Sequence, residues 1–343
     1  MPHRAFFAFI FPSILAMLLF ITLPIISVSV QSLYVEHPQI LVEVENSGPF
    51  GVTKETKIDT AAMAAIQAAQ PMGQFAGFAN YTNHNHLAFD DLAQIFGDNT
   101  GVADIANRLM NLPFYRALAF TLAYCFVVTP IAMSLGFATA LAINTLPSIA
   151  KGPAIFVSLL PMIITPLVGS LILYWMFSPE GILGAALQSL FNDPKLSLRA
   201  SPLLTWIVVI GYGIWTNGPF SFVVFYAGLQ TVPEDTMESA RIDGASRWQT
   251  IRFVVMPHLA PLATFVALVQ LMDNFRVFEP IVGFSAEANA TSLSWLVYND
   301  LVSQDAQQFG SAASTSVITI VGVLILLAPV LRRTWRDFNA KAV

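Results

Sequence analysis

Five stretches of this 343-residue chain contain no Asp, Glu, Lys or Arg at all: residues 5–35, 117–150, 152–179, 200–233 and 306–331. Each exceeds the roughly 20 residues that a helix needs to cross about 30 Å of hydrocarbon. Backbone in lipid has no water to bond with, so such runs can only be helices that satisfy their own hydrogen bonds. A sixth run, 259–283, starts with fourteen uncharged residues and then carries Asp273, Arg276 and Glu279. Charge in lipid is costly, so this helix is expected to turn one side to protein or water. With 55% hydrophobic and 11% charged residues, against about a quarter charged in soluble domains, the chain lacks the polar surface a water-soluble core would require. The expected fold class is all-α: a polytopic membrane bundle of six transmembrane helices with a small external insertion after the first.

The first run is expected to be a retained helix. It is much longer than the roughly 7–15-residue apolar segment of a signal peptide, and Leu23, Pro24, Ile25 and Ile26 stand where small residues would mark cleavage. The lone Cys125 falls inside the second run, which excludes a disulfide framework and leaves helix packing as its expected role.

The basic residues orient the bundle. With the N-terminus inside, Arg4, Lys151, Arg241, Arg247, Arg252, Arg332, Arg333, Arg336 and Lys341 are cytoplasmic, in short loops or at helix ends, where the positive-inside bias counts. Lys54, Lys57, Arg108, Arg116, Lys195 and Arg199 fall outside, diluted over long segments. Both termini are thus expected in the cytoplasm, and the net charge of −5 says little about partners. The expected organisation is a first transmembrane helix (1–30), an external insertion (31–114) and a core of five transmembrane helices (115–337) with a cytoplasmic loop at 231–257. The insertion is broken by Gly and Pro, with an Ala-rich helix expected over 60–70. His84 and His86 within it lack further ligands, so they are expected in a solvated loop and no metal site is assigned.

Residues 231–257 predict two short helices joined by a glycine. Pro233 suits a first helical turn, and Glu234 and Asp235 favour the positive end of the helix dipole. Gly244 can close that helix in the left-handed conformation. Ser246 followed by Gln249 has the form of a capping box opening a second helix, with Trp248, Ile251 and Val255 on one face and Pro257 separating it from the next span. On pattern alone, an amphipathic loop resting on lipid headgroups fits equally well.

The spacing within this loop carries a resemblance. Glu238-Ser239-Ala240, three residues, Gly244, nine residues, Val254, one residue and Met256-Pro257 resembles the EAA signature of ABC importer permeases, EAA-x3-G-x9-I-x-L-P, with Ser, Val and Met as departures. The family's loop docks into a cleft of the cytoplasmic ATPase subunit, so the resemblance implies that Glu238, Ser239, Ala240, Asp243, Gly244 and Ala245 form the ATPase contact. Further stretches are similar to the carbohydrate branch that contains the larger maltose permease subunit. These are Gly77-Phe78-Ala79-Asn80-Tyr81, Phe114 to Thr121, Phe275 to Ile281 with Glu279 for the usual Asp, Ala290 to Tyr298, and Phe309 to Ala313. The family's L-T-x-G-G-P element is replaced here by Phe284 to Asn289. The resemblance spans residues 75–335 and implies the type I importer permease fold in a bacterial inner membrane. It also implies four kinds of partner: a second, homologous permease subunit, a dimer of ATPase subunits, a periplasmic solute-binding protein and a small carbohydrate-like solute. No nucleic-acid partner is expected.

A sugar needs hydrogen bonds and stacking faces within an otherwise apolar bundle. Gln270, Asp273 and Asn274 share one face of the fifth helix, and Trp215, Thr216, Asn217 and Phe220 surround Gly218-Pro219 in the fourth. Positions matching most of these line the sugar cavity in maltose-type permeases, and all seven are candidate solute contacts. For any one of them, a hydrogen bond between helices accounts for the residue equally well. Asp273, Arg276 and Glu279 could likewise be an i, i+3 ladder that stabilises the end of that helix. The alternative function is an ion-coupled secondary transporter using Asp273 and Arg276, but no internal repeat of broken helices accompanies them. Catalytic motifs are lacking, and so is a phosphate-binding loop. No cofactor is expected in this chain, and ATP and Mg are expected on the partner ATPase.

Overall fold

The computed structural model describes residues 3–48, 51–98, 101–194, 196–199, 201–302 and 307–340. Among the basic residues used for orientation, Lys195 and Lys341 lie outside the described residues, as do the side chains of Arg4 and Lys54. Among the described residues, five helices are long and apolar enough to cross a membrane: Phe9–Gln31, Pro113–Asn144, Pro202–Leu229, Arg247–Phe275 and Phe309–Arg333. The polytopic helical bundle expected from the charge-free runs is what forms.

The run 152–179 departs from a straight crossing. It forms Ser148–Ile163 and Pro166–Phe177, bent by 89° at the break between them. Pro166 explains the position of the break, because a proline disfavours helical dihedrals in the residue before it, and Thr165 is extended with φ −62° and ψ 140°. The fifth helix also ends early. It closes at Phe275, with Arg276 at its cap, and Glu279 starts a separate short helix, Glu279–Phe284. Asp273 and Arg276 pair at 2.8 Å, but Glu279 is on another element, so the expected three-residue ladder does not exist.

Pro257 does not separate the second loop helix from the next span either. A π-helical turn, Ile251–Val255, joins Arg247–Thr250 to Met256–Phe275, and Pro257 follows directly on that turn within one continuous helix from Arg247 to Phe275.

The chain divides into two compact units. One comprises residues Arg116–Trp295 and Val321–Val343. Within it, two apolar clusters hold the helices: Phe120, Tyr124, Val209, Ile281 and Phe284 in one, and Phe222, Phe225, Leu229, Val255 and Leu259 in the other. Small residues set the closest approaches. A Cβ on Gly136 would lie 2.6 Å from the Phe222 nitrogen, and one on Gly283 would lie 1.9 Å from the Ser170 hydroxyl. Cys125 is buried in packing, as expected.

The other unit comprises Met1–Tyr115 and Leu296–Ile320. The Ala-rich helix forms over Thr60–Ala69, with the Asp59 carboxylate accepting from the Ala61 and Ala62 amides. Two antiparallel pairs accompany it: Leu41–Gly48 with Gly51–Ile58, and Tyr34–Val35 with Gln74–Phe75. The first pair was missed in the sequence, although Val42-Glu43-Val44-Glu45 carries the alternation of a strand and Val52, Thr53, Thr56 and Ile58 are β-branched. His86 is fully buried here instead of lying in a solvated loop. Asn80 is buried too, and its amide donates to the Ser32 and Tyr34 carbonyls at 3.0 and 2.9 Å.

Candidate functional site

In the loop at 231–257, caps fix the junction between the two short helices. Pro233 precedes the Glu234–Ile242 helix as its cap, and Glu234 and Asp235 occupy the first turn. Gly244 has φ +73°. Its amide bonds to the Arg241 carbonyl at 3.0 Å, and that of Ala245 to the Ala240 carbonyl at 3.0 Å. These two bonds are the Schellman pattern, which satisfies carbonyls that a helix end leaves open. The capping box is present in both directions: the Ser246 amide donates to Gln249 Oε1 at 2.7 Å and the Gln249 amide to Ser246 Oγ at 3.3 Å. At the base, Thr231 Oγ1 lies 3.1 Å from His258 Nε2, and Met237 packs on the Phe222, Phe225 and Val255 cluster.

The outcome is a stiff element with an open tip. Glu238, Ser239, Asp243 and Gly244 are exposed, while Ala240 and Ala245 are half-buried. Trp248 is exposed and does not share the face of buried Val255. The sequence reading missed Ile242, which is 85% exposed between Arg241 and Asp243. An isoleucine set between Arg241 and Asp243 at the end of a largely polar helix was the available signal.

A second site is a cavity of about 480 Å³ in the same unit. Tyr124, Pro166, Tyr212, Thr216, Asn217, Asp273, Asn274, Arg276 and Glu279 line it, with Val277 and Pro280. The bend at Thr165-Pro166 brings Pro166 to its wall, and the Tyr212 hydroxyl donates to the Pro166 carbonyl at 2.8 Å. Glycines make room for both tyrosines. A Cβ on Gly169 would lie 2.2 Å from the Tyr212 oxygen, and one on Gly213 would lie 2.1 Å from the Tyr124 oxygen.

Of the seven candidate solute contacts, Thr216, Asn217, Asp273 and Asn274 line this cavity. The other three do not. Gln270 is buried behind it and donates to the Asn217 carbonyl at 3.0 Å and Ser221 Oγ at 2.7 Å, leaving its own Oε1 unpaired. Phe220 pairs with Phe265, and Trp215 borders a separate, apolar hollow beside Leu173 and Phe177. Asn274 has both roles, since its amide also donates to Thr129 Oγ1 at 2.9 Å. Tyr124, Pro166 and Tyr212 were not foreseen, because nothing local in the sequence says which faces meet.

Residues 106–334, which include the loop and the cavity, match the family described as "Binding-protein-dependent transport system inner membrane component". The chain is 31% identical over 77% of its length to the trehalose transport system permease protein SugA of Mycobacterium tuberculosis, 83% of which is covered. It is 25% identical over 65% of its length to the trehalose/maltose transport system permease protein MalF of Thermococcus litoralis, 76% of which is covered. In structure it is similar to a bacterial ABC transporter involved in the import of the acidic polysaccharide alginate. That match has a TM-score of 0.64 and 20% identity, and it covers 97% of this chain and 96% of the other.

Proposed function

Because the chain belongs to the family of inner membrane components of binding-protein-dependent transport systems, we propose that it forms half of the pathway by which an ABC importer takes up a sugar-like solute. A solute-binding protein delivers the solute on the side of the 31–114 insertion. A second, homologous permease completes the pathway, and a dimer of ATPase subunits, binding ATP and Mg, drives it from the cytoplasmic side, where both termini lie.

The observation that carries the reading is the Glu234–Thr250 element, capped at Gly244 and Ser246 where its two helices meet and exposed at Glu238, Ser239, Ile242 and Asp243. A joint that transmits a stroke must move as a lever, and paired caps at Gly244 and Ser246 oppose bending. Ile242 is the apolar anchor for the ATPase cleft, with Glu238, Ser239, Ala240, Asp243, Gly244 and Ala245 around it. The cavity suits a polyhydroxylated solute: Thr216, Asn217 and Asn274 offer hydrogen bonds, Tyr124 and Tyr212 offer ring faces, and Asp273 accepts from hydroxyls. The sugar-transport names of the relatives SugA and MalF support the same solute class.

The test is made in the assembled complex. A cysteine at Ser239 should cross-link to the ATPase subunit, and Gly244→Val should leave membrane insertion intact while abolishing solute-stimulated ATP hydrolysis. Transport that persists without any ATPase would sink the proposal.

A further inference from the structure

Three charged side chains stand in the wall of the cavity of about 480 Å³: Asp273, Arg276 and Glu279. They are not equivalent. Asp273 Oδ1 lies 2.8 Å from Arg276 Nη2, so the one guanidinium of the lining already has a carboxylate partner. Glu279 opens a separate helix, Glu279–Phe284, and among the described residues its carboxylate takes part in no hydrogen bond or ion pair. Its backbone is held in place: the Ser170 hydroxyl donates to the Glu279 carbonyl at 3.1 Å, and Pro280 after it is buried. Glu279 itself is exposed, and its charge reaches the phenols of Tyr124 and Tyr212 in the same cavity.

A solute that fills the cavity takes the place of water around Glu279, so it must itself donate to the carboxylate. A hydroxyl does so, and an ammonium does so with the help of its charge. A sugar carboxylate or phosphate brings an acceptor and a like charge instead. Among the described residues no Lys or His lines the cavity to offset that charge, and Arg276 is engaged by Asp273. Two carboxylates against one guanidinium leave this lining with one net negative charge, and walls that exclude water strengthen its repulsion of an anion.

We propose that Glu279 is a charge filter in this cavity: neutral sugars and amino sugars are accepted, and sugar acids and sugar phosphates are rejected. The inference rests on the cavity being part of the solute pathway and names the class of sugar that passes. Discrimination of this kind comes from a repulsive element set against the wrong solute as much as from contacts to the right one.

The full chain is purified with its permease and ATPase partners but without the solute-binding protein, whose own selectivity would mask that of the cavity. Glucose, glucosamine and glucuronate, pyranoses that differ in charge, are titrated against it by saturation-transfer NMR. Glucose and glucosamine should bind, and glucuronate about tenfold more weakly than glucose. The ratio of glucuronate to glucose affinity should rise about tenfold in Glu279→Gln and stay low in Glu279→Asp, which keeps the charge. Asp273→Asn, at an exposed position, lowers the negative charge of the lining without altering Glu279; it should raise the same ratio and serves if Glu279→Gln does not assemble. A carboxylate that only stabilised its own helix through the dipole would change the melting temperature in Glu279→Gln and leave the ratio unmoved. An unmoved ratio in both neutralising variants overturns the filter, as does glucuronate binding as tightly as glucose in the unaltered chain. Binding of none of the three sugars overturns the cavity's place in the solute pathway, and the filter with it.

Discussion

His86 places its Nε2 3.0 Å from the Thr315 hydroxyl and 3.1 Å from the Ser311 carbonyl, while its Nδ1 lies 2.7 Å from Asn83 Oδ1. A residue of the insertion is thereby tied to the first turns of the last helix. Ser311 in turn donates to Asp300 Oδ2 at 2.7 Å, which extends the tie to the Leu293–Val302 helix.

This tie predicts a pH response. Burial pushes the His86 pKa below a histidine's ordinary 6.5, outweighing the Ser311 carbonyl and the Asp300 charge. The unfolded chain then takes up the proton first, so stability is lost as pH falls below 6.5. Asp300 is shifted upward from 3.8 by burial; its contribution is present at low pH and is lost as pH rises, so it opposes the His86 effect. The melting temperature of the purified protein should drop between pH 7 and 5, and His86→Gln should flatten that drop. An unchanged slope would show that another group titrates there.

At Gly244 an added Cβ meets nothing within 4 Å, so only its φ of +73° resists substitution. The left-handed conformation costs an ordinary residue about 1–2 kcal/mol, and asparagine less. Gly244→Asn should accordingly retain much of the solute-stimulated ATP hydrolysis that Gly244→Val loses. Equal loss in both variants would mean that contact with a partner, not backbone conformation, requires glycine.

The Gly213–Tyr124 approach predicts a rescue. Gly213→Ala pushes a methyl group into the phenol oxygen and should destabilise by about 1–3 kcal/mol. Removing that oxygen with Tyr124→Phe should recover part of the loss in a double-mutant cycle read by thermal unfolding, since the ring Cζ would still lie 2.6 Å from the new methyl group. Additive effects would contradict the contact.

Two polar residues of the fifth helix should separate in their effects. Gln270 is buried and bonds helix to helix, so Gln270→Leu should cost about 1–3 kcal/mol of stability and leave the transport KM near its original value. Asp273 and Arg276 are each more than half exposed, and such pairs contribute at most about 1 kcal/mol. Asp273→Asn should therefore spare the melting temperature and raise the transport KM about tenfold. The reverse pattern would exchange the roles of the two positions.

The membrane spans and the capped loop were legible because their causes are local. A charge-free run longer than the bilayer is thick has to become a helix, and the caps at Gly244, Ser246 and Gln249 join residues within five positions of one another. Even the break before Pro166 had its local cause in plain view, though not its 89° angle. What only the tertiary structure decided is which faces meet. The cavity draws on Tyr124, Pro166, Tyr212 and Asn274 from four different helices. His86 finds Thr315 across 229 positions, and Gln270 turns out to hold helices together beside the cavity instead of lining it. A membrane helix is apolar nearly all round, so hydrophobic periodicity does not mark its inward face. That face is set by where Gly136, Gly169, Gly213 and Gly283 let neighbouring helices close, and those contacts exist only once the chain has folded.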